Sequence, residues 1–180
     1  MAVLTRYRVS DLATLERAPG VAHFELSAGK LIPVNHPGAR HELIKPRAAE
    51  LLTVYALATG SMEVLPECSF TLAEETSRQP DVAVISRAHY LQLPDEDVPI
   101  PFTPDLAVEV ISVSESAIDA ERKVAEYFGG GTSEVWQIYP RERFIRIRRP
   151  GVVQDVEGAQ LLETPLLPGF SVAVEGFFQR

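Results

Sequence analysis

The chain has a single cysteine. Cys68 alone can close no intramolecular disulfide, and it leaves neither a thiolate zinc cage nor a redox pair available. Long apolar runs are missing too, since no stretch approaches the roughly 18 residues that would cross a bilayer. The amino terminus reaches Arg6 and Arg8 without an apolar segment, so no signal peptide is expected. These absences lead to the expectation of a soluble, cytoplasmic protein with no membrane partner. Positive charge is also scarce. With 17 Lys and Arg against 25 Asp and Glu, the net charge of -8 works against a generic nucleic-acid coat, because lysine and arginine drive phosphate binding by displacing counterions. Basic residues nonetheless cluster at Arg141, Arg143, Arg146, Arg148 and Arg149, which leaves room for an acidic nuclease with a local basic patch.

What is present is an ordinary globular composition, 46% hydrophobic and 23% charged, over 180 residues. That length fits one domain, residues 1–180, with a core that needs no staples. Ser10 to Arg17 opens with a capping residue and spaces Leu12 and Leu15 one turn apart, which predicts a short first helix. Phe24-Glu25-Leu26 and Lys30 to Val34 flank Ser27-Ala28-Gly29 and read as a β-hairpin. A helix follows from Gly38 to Thr59, with Pro46 expected to kink or restart it and Gly60 to stop it. Met62 to Leu65 and Cys68 to Leu72 look like a strand pair around Pro66, and Ala73 to Gln79 like a loop. Arg87 to Thr103 is proline-rich and reads as a second loop, helical near Ala88 to Leu91. Glu134 to Tyr139 and Phe144 to Arg148 are further strands, the second alternating so that its arginines face water.

Two apolar runs carry an acid where none belongs. Pro80-Asp81-Val82-Ala83-Val84-Ile85 and Pro104-Asp105-Leu106-Ala107-Val108-Glu109-Val110-Ile111-Ser112 have the valines and isoleucines of buried strands. Asp81 after a proline reads equally as a turn cap. Glu109 shares a strand face with Ala107 and Ile111, where an unpaired charge costs several kcal/mol, so it needs a basic partner or a metal ion. The helix from Ser116 to Phe128 supplies a basic group. At about 100° per residue its buried arc centres on Ala117, Ala120, Val124 and Phe128, with Ile118, Ala125 and Tyr127 beside it. Lys123 sits at the edge of that arc, either as an exposed half of an Asp119 pair or as a long stem reaching a strand end. Glu121 falls inside the arc, a second anomalous acid. Two carboxylates at one sheet edge can hold magnesium, which keeps several waters, and a nearby lysine can orient or deprotonate an attacking water and offset phosphate charge.

At these residues the chain resembles the Uma-two family, a branch of the PD-(D/E)XK restriction-endonuclease-like superfamily. The match runs through Phe24-Glu25-Leu26 with Gly29, His41, Pro80 to Val84, Pro104 to Ser112, Lys123 with Tyr127, Val135-Trp136 and Leu167-Pro168-Gly169-Phe170. The resemblance implies an α/β (α+β) fold, a mixed β-sheet core flanked by helices with an N-terminal helix and hairpin. It also implies a metal-dependent endonuclease hydrolysing phosphodiester bonds, with Asp81 and Glu109 as Mg2+ ligands, Mn2+ as the alternative ion, and Lys123 as the catalytic lysine. Glu25 and His41 match family positions near the site and are carried as accessory; His41 otherwise reads as a helix-cap or surface histidine. In the wider superfamily the lysine lies two residues after the second acid, a position that is Ile111 here, so in this branch it moves to the helix. DNA rather than RNA is the expected nucleic acid, and a homodimer the expected assembly. The rival reading is an inactive nuclease-fold scaffold or interaction module, and a third is a hydrolase of smaller phosphoesters.

Overall fold

The computed structural model describes residues 5–15, 24–34, 38–95 and 99–179. Helix α1 (Val9–Leu15) buries Leu12, and its start is held by Asp11, whose Oδ2 accepts the Arg8 amide at 2.7 Å. Residues 16 and 17 of the expected helix lie outside the described residues. Strands β1 (Phe24–Ser27) and β2 (Lys30–Pro33) form the expected hairpin. Its turn residues Ala28 and Gly29 both have left-handed φ, 46° and 77°, the twist that matches flanking strands.

Helix α2 (Ala39–Thr59) runs through Pro46 as one helix, without a restart there. Pro46 is exposed there, so the carbonyl freed by its missing amide proton can turn to water. Gly60, left-handed at φ 63°, ends the helix as expected by donating its amide to Ala56 O. Strands β3 (Met62–Pro66) and β4 (Phe70–Ala73) correct a second expectation, because they do not pair with each other. Pro66 has no amide to continue a ladder, and Glu67 at φ 52° swings the chain into a different sheet. The expected loop at Ala73 to Gln79 holds a third surprise, strand β5 (Thr76–Arg78), every residue of which is buried.

Strands β6 (Val82–Ser86) and β7 (Leu106–Val110) are the two acid-bearing runs, joined through the short helix α3 (Arg87–Tyr90). Helix α4 (Ala117–Gly130) then leads to β8 (Glu134–Tyr139), β9 (Phe144–Arg149), β10 (Val152–Glu157), β11 (Leu161–Leu162), β12 (Val172–Ala173) and a terminal 3-10 turn, Val174–Phe178. The main sheet has the order β10-β9-β8-β7-β6-β3, and a second antiparallel sheet the order β2-β1-β5-β4. Only β7 and β8 run parallel in the main sheet, which demands a crossover, and α4 is that crossover. The fold is therefore a mixed sheet flanked by helices.

Strand alternation decides which acid meets which helix. Leu106, Val108 and Val110 join Val82 and Val84 against Ile44, Ala48 and Leu52 of α2. Ala107 joins Ala83 and Ile85 on the opposite face, against Val124 and Tyr127 of α4 and Phe70 of the second sheet. Glu109 has the parity of Ala107, so it looks toward α4. On α4 the buried positions are Ala120, Val124 and Tyr127, which corrects the expected arc, since Ala117 and Ala125 are exposed and Ile118 is 80% exposed. The helix has turned about its axis toward Tyr127, and Lys123, one turn from it, stays on the edge of the buried stripe.

Candidate active site

The site begins where β6 ends and β7 continues. The ladder pairs Val82 with Val108 and Ala83 with Ala107, so one further step sets Asp81 across from Glu109. Asp81 closes that ladder with its side chain, its Oδ2 accepting the Val110 amide at 2.7 Å. His41, from the first turn of α2, puts Nε2 3.2 Å from the same oxygen. Its side chain is only 11% exposed, which overturns the reading of a surface histidine; Nδ1 is buried without a hydrogen bond, with Glu42 Oε1 3.7 Å away.

Glu109 is buried, with one donor on each carboxylate oxygen. Tyr127 of α4 donates its hydroxyl to Oε1 at 2.7 Å, and Lys123 donates Nζ to Oε2 at 3.0 Å. Glu115, in the loop before α4, places Oε1 3.4 Å from the same ammonium. Burial pushes the Glu109 carboxyl up to about 7, with Asp81 and Glu25 pushing the same way and Lys123 and Tyr127 opposing. Burial works against the charge on Lys123, yet Glu109, Glu25 and Glu115 outweigh it and hold the ammonium above the ordinary lysine range. Tyr127, raised by burial and then by Glu109 and Glu25, stays a neutral donor.

Glu25 approaches from the hairpin and is bound into a different network. Its Oε2 accepts Arg78 Nη1 at 2.6 Å and its Oε1 the Gln79 amide at 3.1 Å. Arg78, 1% exposed, also donates Nε to Glu126 Oε2 at 2.6 Å, and Ser27 donates its hydroxyl to Glu126 Oε1. Glu25 thus touches Arg78 rather than Asp81 or Glu109 and reaches the site through its field, which raises both Glu109 and Lys123.

Other expectations are corrected. Glu121 is not an acid of the core, because the buried stripe of α4 lies elsewhere; it is exposed and takes both Nη atoms of Arg148 at 2.6 and 2.9 Å. Three arginines of the basic cluster, Arg146, Arg148 and Arg149, face acids. Arg146 forms a two-pronged pair with Asp155 at 2.7 and 2.8 Å, Arg149 stands 3.6 Å from Glu134, and Arg143 lies over the Phe178 ring. Sequence reasoning missed Arg78, Glu126 and Glu115 altogether. Arg78 lies in a polar triplet that gives no strand signal, Glu126 reads as one more acid on an amphipathic helix, and Glu115 sits in a serine-rich turn.

The family comparison settles the ancestry. The Uma2 family, described as "Putative restriction endonuclease", matches residues 9–175. This chain belongs to the Uma2 family. The Uma2 chain is also similar in fold to the crystal structure of a protein from Anabaena variabilis titled a putative nuclease belonging to DUF820, with a TM-score of 0.80 and 18% identity, covering 96% of this chain and 97% of that one. No curated protein matches it. In this Uma2 protein Ile111, two residues after Glu109, is apolar and its backbone amide bonds Ile138 O, and the amine beside Glu109 comes from α4. Among the described residues no helix is long and apolar enough to cross a membrane.

Among the described residues, no group of three or more His, Cys, Asp and Glu side chains is arranged to hold a metal ion. The donors that are present still suit one kind of ion. Asp81 and Glu109 offer carboxylate oxygens from neighbouring strands, and magnesium accepts one or two such ligands while keeping its remaining positions for water. The carboxyl of Glu109, pushed up by burial and by two other acids, is a group that gains from a compensating cation.

Proposed function

We propose that this Uma2 protein is a metal-dependent endonuclease that hydrolyses phosphodiester bonds, with DNA as its substrate. The observation that carries the reading is Lys123 Nζ at 3.0 Å from Glu109, with Asp81 one ladder step across from that glutamate. The support is that groups far apart in the chain approach one end of β6 and β7, with Lys123 bonded to Glu109 and Asp81 across the ladder from it. Asp81 and Glu109 would hold Mg2+, or Mn2+ in its place, and a bound divalent ion supplies Lewis-acid stabilisation of the phosphate and a more acidic water.

The chain's own residues divide the remaining work. Lys123 is held charged beside Glu109, so it donates, positioning water and offsetting phosphate charge. Tyr127 fixes the rotamer of Glu109 from one side while the ladder fixes its backbone from the other. His41 orients Asp81 through the oxygen that also caps the Val110 amide, an accessory role.

Asp81→Ala and Glu109→Ala test the reading on purified protein given single-stranded DNA, duplex DNA and RNA with Mg2+ or Mn2+. Loss of cleavage by at least about a hundredfold with unchanged circular dichroism is expected. Cleavage equal to wild type in either variant ends the proposal.

One observation favours a second reading, an inactive scaffold: Glu109 is closed by its ion pair and the nearby arginines are already paired. Wild-type protein that cleaves none of the substrates with either ion selects that reading. Cleavage of small phosphodiesters alone selects a smaller-substrate hydrolase. A homodimer, two sites for two strands, completes the proposed picture, and sedimentation equilibrium tests it.

A further inference from the structure

Glu115 lies between β7 and α4, in a turn closed by its own amide on Ser112 O at 3.2 Å. Its side chain is 13% exposed, and its Oε1 is buried and accepts no hydrogen bond. A carboxylate oxygen withdrawn from water without a donor is costly, so the position calls for an explanation. The nearest cation is Lys123, whose Nζ stands 3.4 Å from that oxygen while donating to Glu109 Oε2 at 3.0 Å. The ammonium has three protons and stands between two carboxylates, bonded to one and within reach of the other. Among the described residues it forms an ion pair with no third acid: Asp119, one turn away on α4, is taken by Ser116 and Arg122.

We infer that Glu115 is a positioning residue for Lys123, the acceptor to which the ammonium transfers its hydrogen bond when Glu109 turns its oxygen to a divalent cation. The inference rests on the reading of Asp81 and Glu109 as cation ligands. Its logic is charge balance. In the present arrangement Lys123 neutralises Glu109, so a cation must compete with it for the same oxygen. An ammonium displaced into a buried site beside a divalent ion would be repelled by it. Glu115, reached without moving α4, keeps the amine in the site, neutralises it and aims it at the same space. The orphan oxygen is therefore the second half of a two-position hold, and it lowers the cost of admitting the ion.

The test uses the full chain and Mn2+ alone, read from the electron paramagnetic resonance signal of the free ion. Glu115→Gln, close in shape but uncharged, is expected to weaken Mn2+ binding about tenfold, the scale of effects transmitted through a ligand's outer partners. Glu74→Gln, an exposed acid away from the site, is expected to leave it unchanged. In a Lys123→Met background the effect of Glu115→Gln is expected to shrink below about twofold, because there is no amine left to hold. Equal affinity of Glu115→Gln and wild type overturns the inference. So does a tenfold loss that persists in the Lys123→Met background, the mark of a carboxylate that touches the ion itself. Wild type that fails to bind Mn2+ overturns the reading at Asp81 and Glu109 and this inference with it, whereas tight binding indifferent to Glu115 overturns the inference alone. A second measurement needs no variant: the Lys123 side-chain nitrogen resonance is expected to stay protected from exchange when Mg2+ saturates the protein, and its loss on saturation would count against the two-position hold.

Discussion

Two sets of ion pairs in this molecule use the same residue types and mean different things. On the strands β9 and β10, Arg146 pairs with Asp155, and Arg148 reaches Glu121 on α4; the acids are half-exposed, at 48% and 56%. Between the sheets, Arg78 joins Glu25 and Glu126, and Lys123 joins Glu109, with Arg78 at 1% and Glu109 at 6% exposure. Pairs of the first kind are screened by water and contribute little. In the second, each charge is withdrawn from water and depends on its partner, so removing one leaves the other stranded. The surface set occupies two of the arginines of the basic cluster. With Glu115 also beside Lys123, the buried set concentrates four acids around two cations, and that excess of negative charge is what the proposed divalent ion would relieve.

The comparison can be broken first at Arg78. Arg78→Met removes the shared cation and leaves Glu25 and Glu126 buried without it, so a loss of about 3–5 kcal/mol is expected in urea unfolding. A loss under about 1 kcal/mol would place Arg78 with the surface pairs. A smaller effect is expected from pH. The Glu109 carboxyl is raised from 4.5 to about 7 in the folded protein, so the folded state binds the proton more tightly than the unfolded one. That contribution is present in full below the unfolded value and is lost as pH rises through about 7. Lys123, raised above its ordinary value, contributes equally throughout the range from 5 to 8 and does not disturb the sign. Glu109 therefore makes the protein more stable at pH 5 than at pH 8, read as the difference between wild type and Glu109→Gln. Identical pH profiles of the two would mean that Glu109 is not the group described here. The smallest effect is expected on the surface. Arg148→Gln should cost less than about 1 kcal/mol, and the cost should vanish in high salt.

The sequence reveals the main sheet well and the second sheet poorly. Val82 to Ile85 and Leu106 to Val110 announce themselves because strands buried on both faces must be apolar, and the family resemblance rests on the same runs. Thr76 to Arg78 is just as buried, yet its residues are polar and read as a loop; what makes it a strand is the pairing of Leu26 with Ser77 and the neutralisation of Arg78 by acids at positions 25 and 126. Likewise α4 was legible as a helix, while its rotation was not, because alanines at 117, 120 and 125 look alike on a wheel and only the space left by Phe70 and Val124 distinguishes them.

Alternation along β7 places Glu109 opposite to Val108 and Val110, and that much follows from a side-chain period of two, with no need of coordinates. Its misfit among apolar neighbours, and so its need for a partner, follows too. Which partner it takes is a matter of the assembled molecule. The crossover made by α4 brings position 123 back over position 109, the ladder sets position 81 alongside, and a turn at 115 adds a carboxylate that no local pattern distinguishes. Local sequence determines which face a side chain occupies; the pairing of charges from distant segments depends on how those faces are stacked, because electrostatic attraction acts through space and is strong only where packing has removed the water.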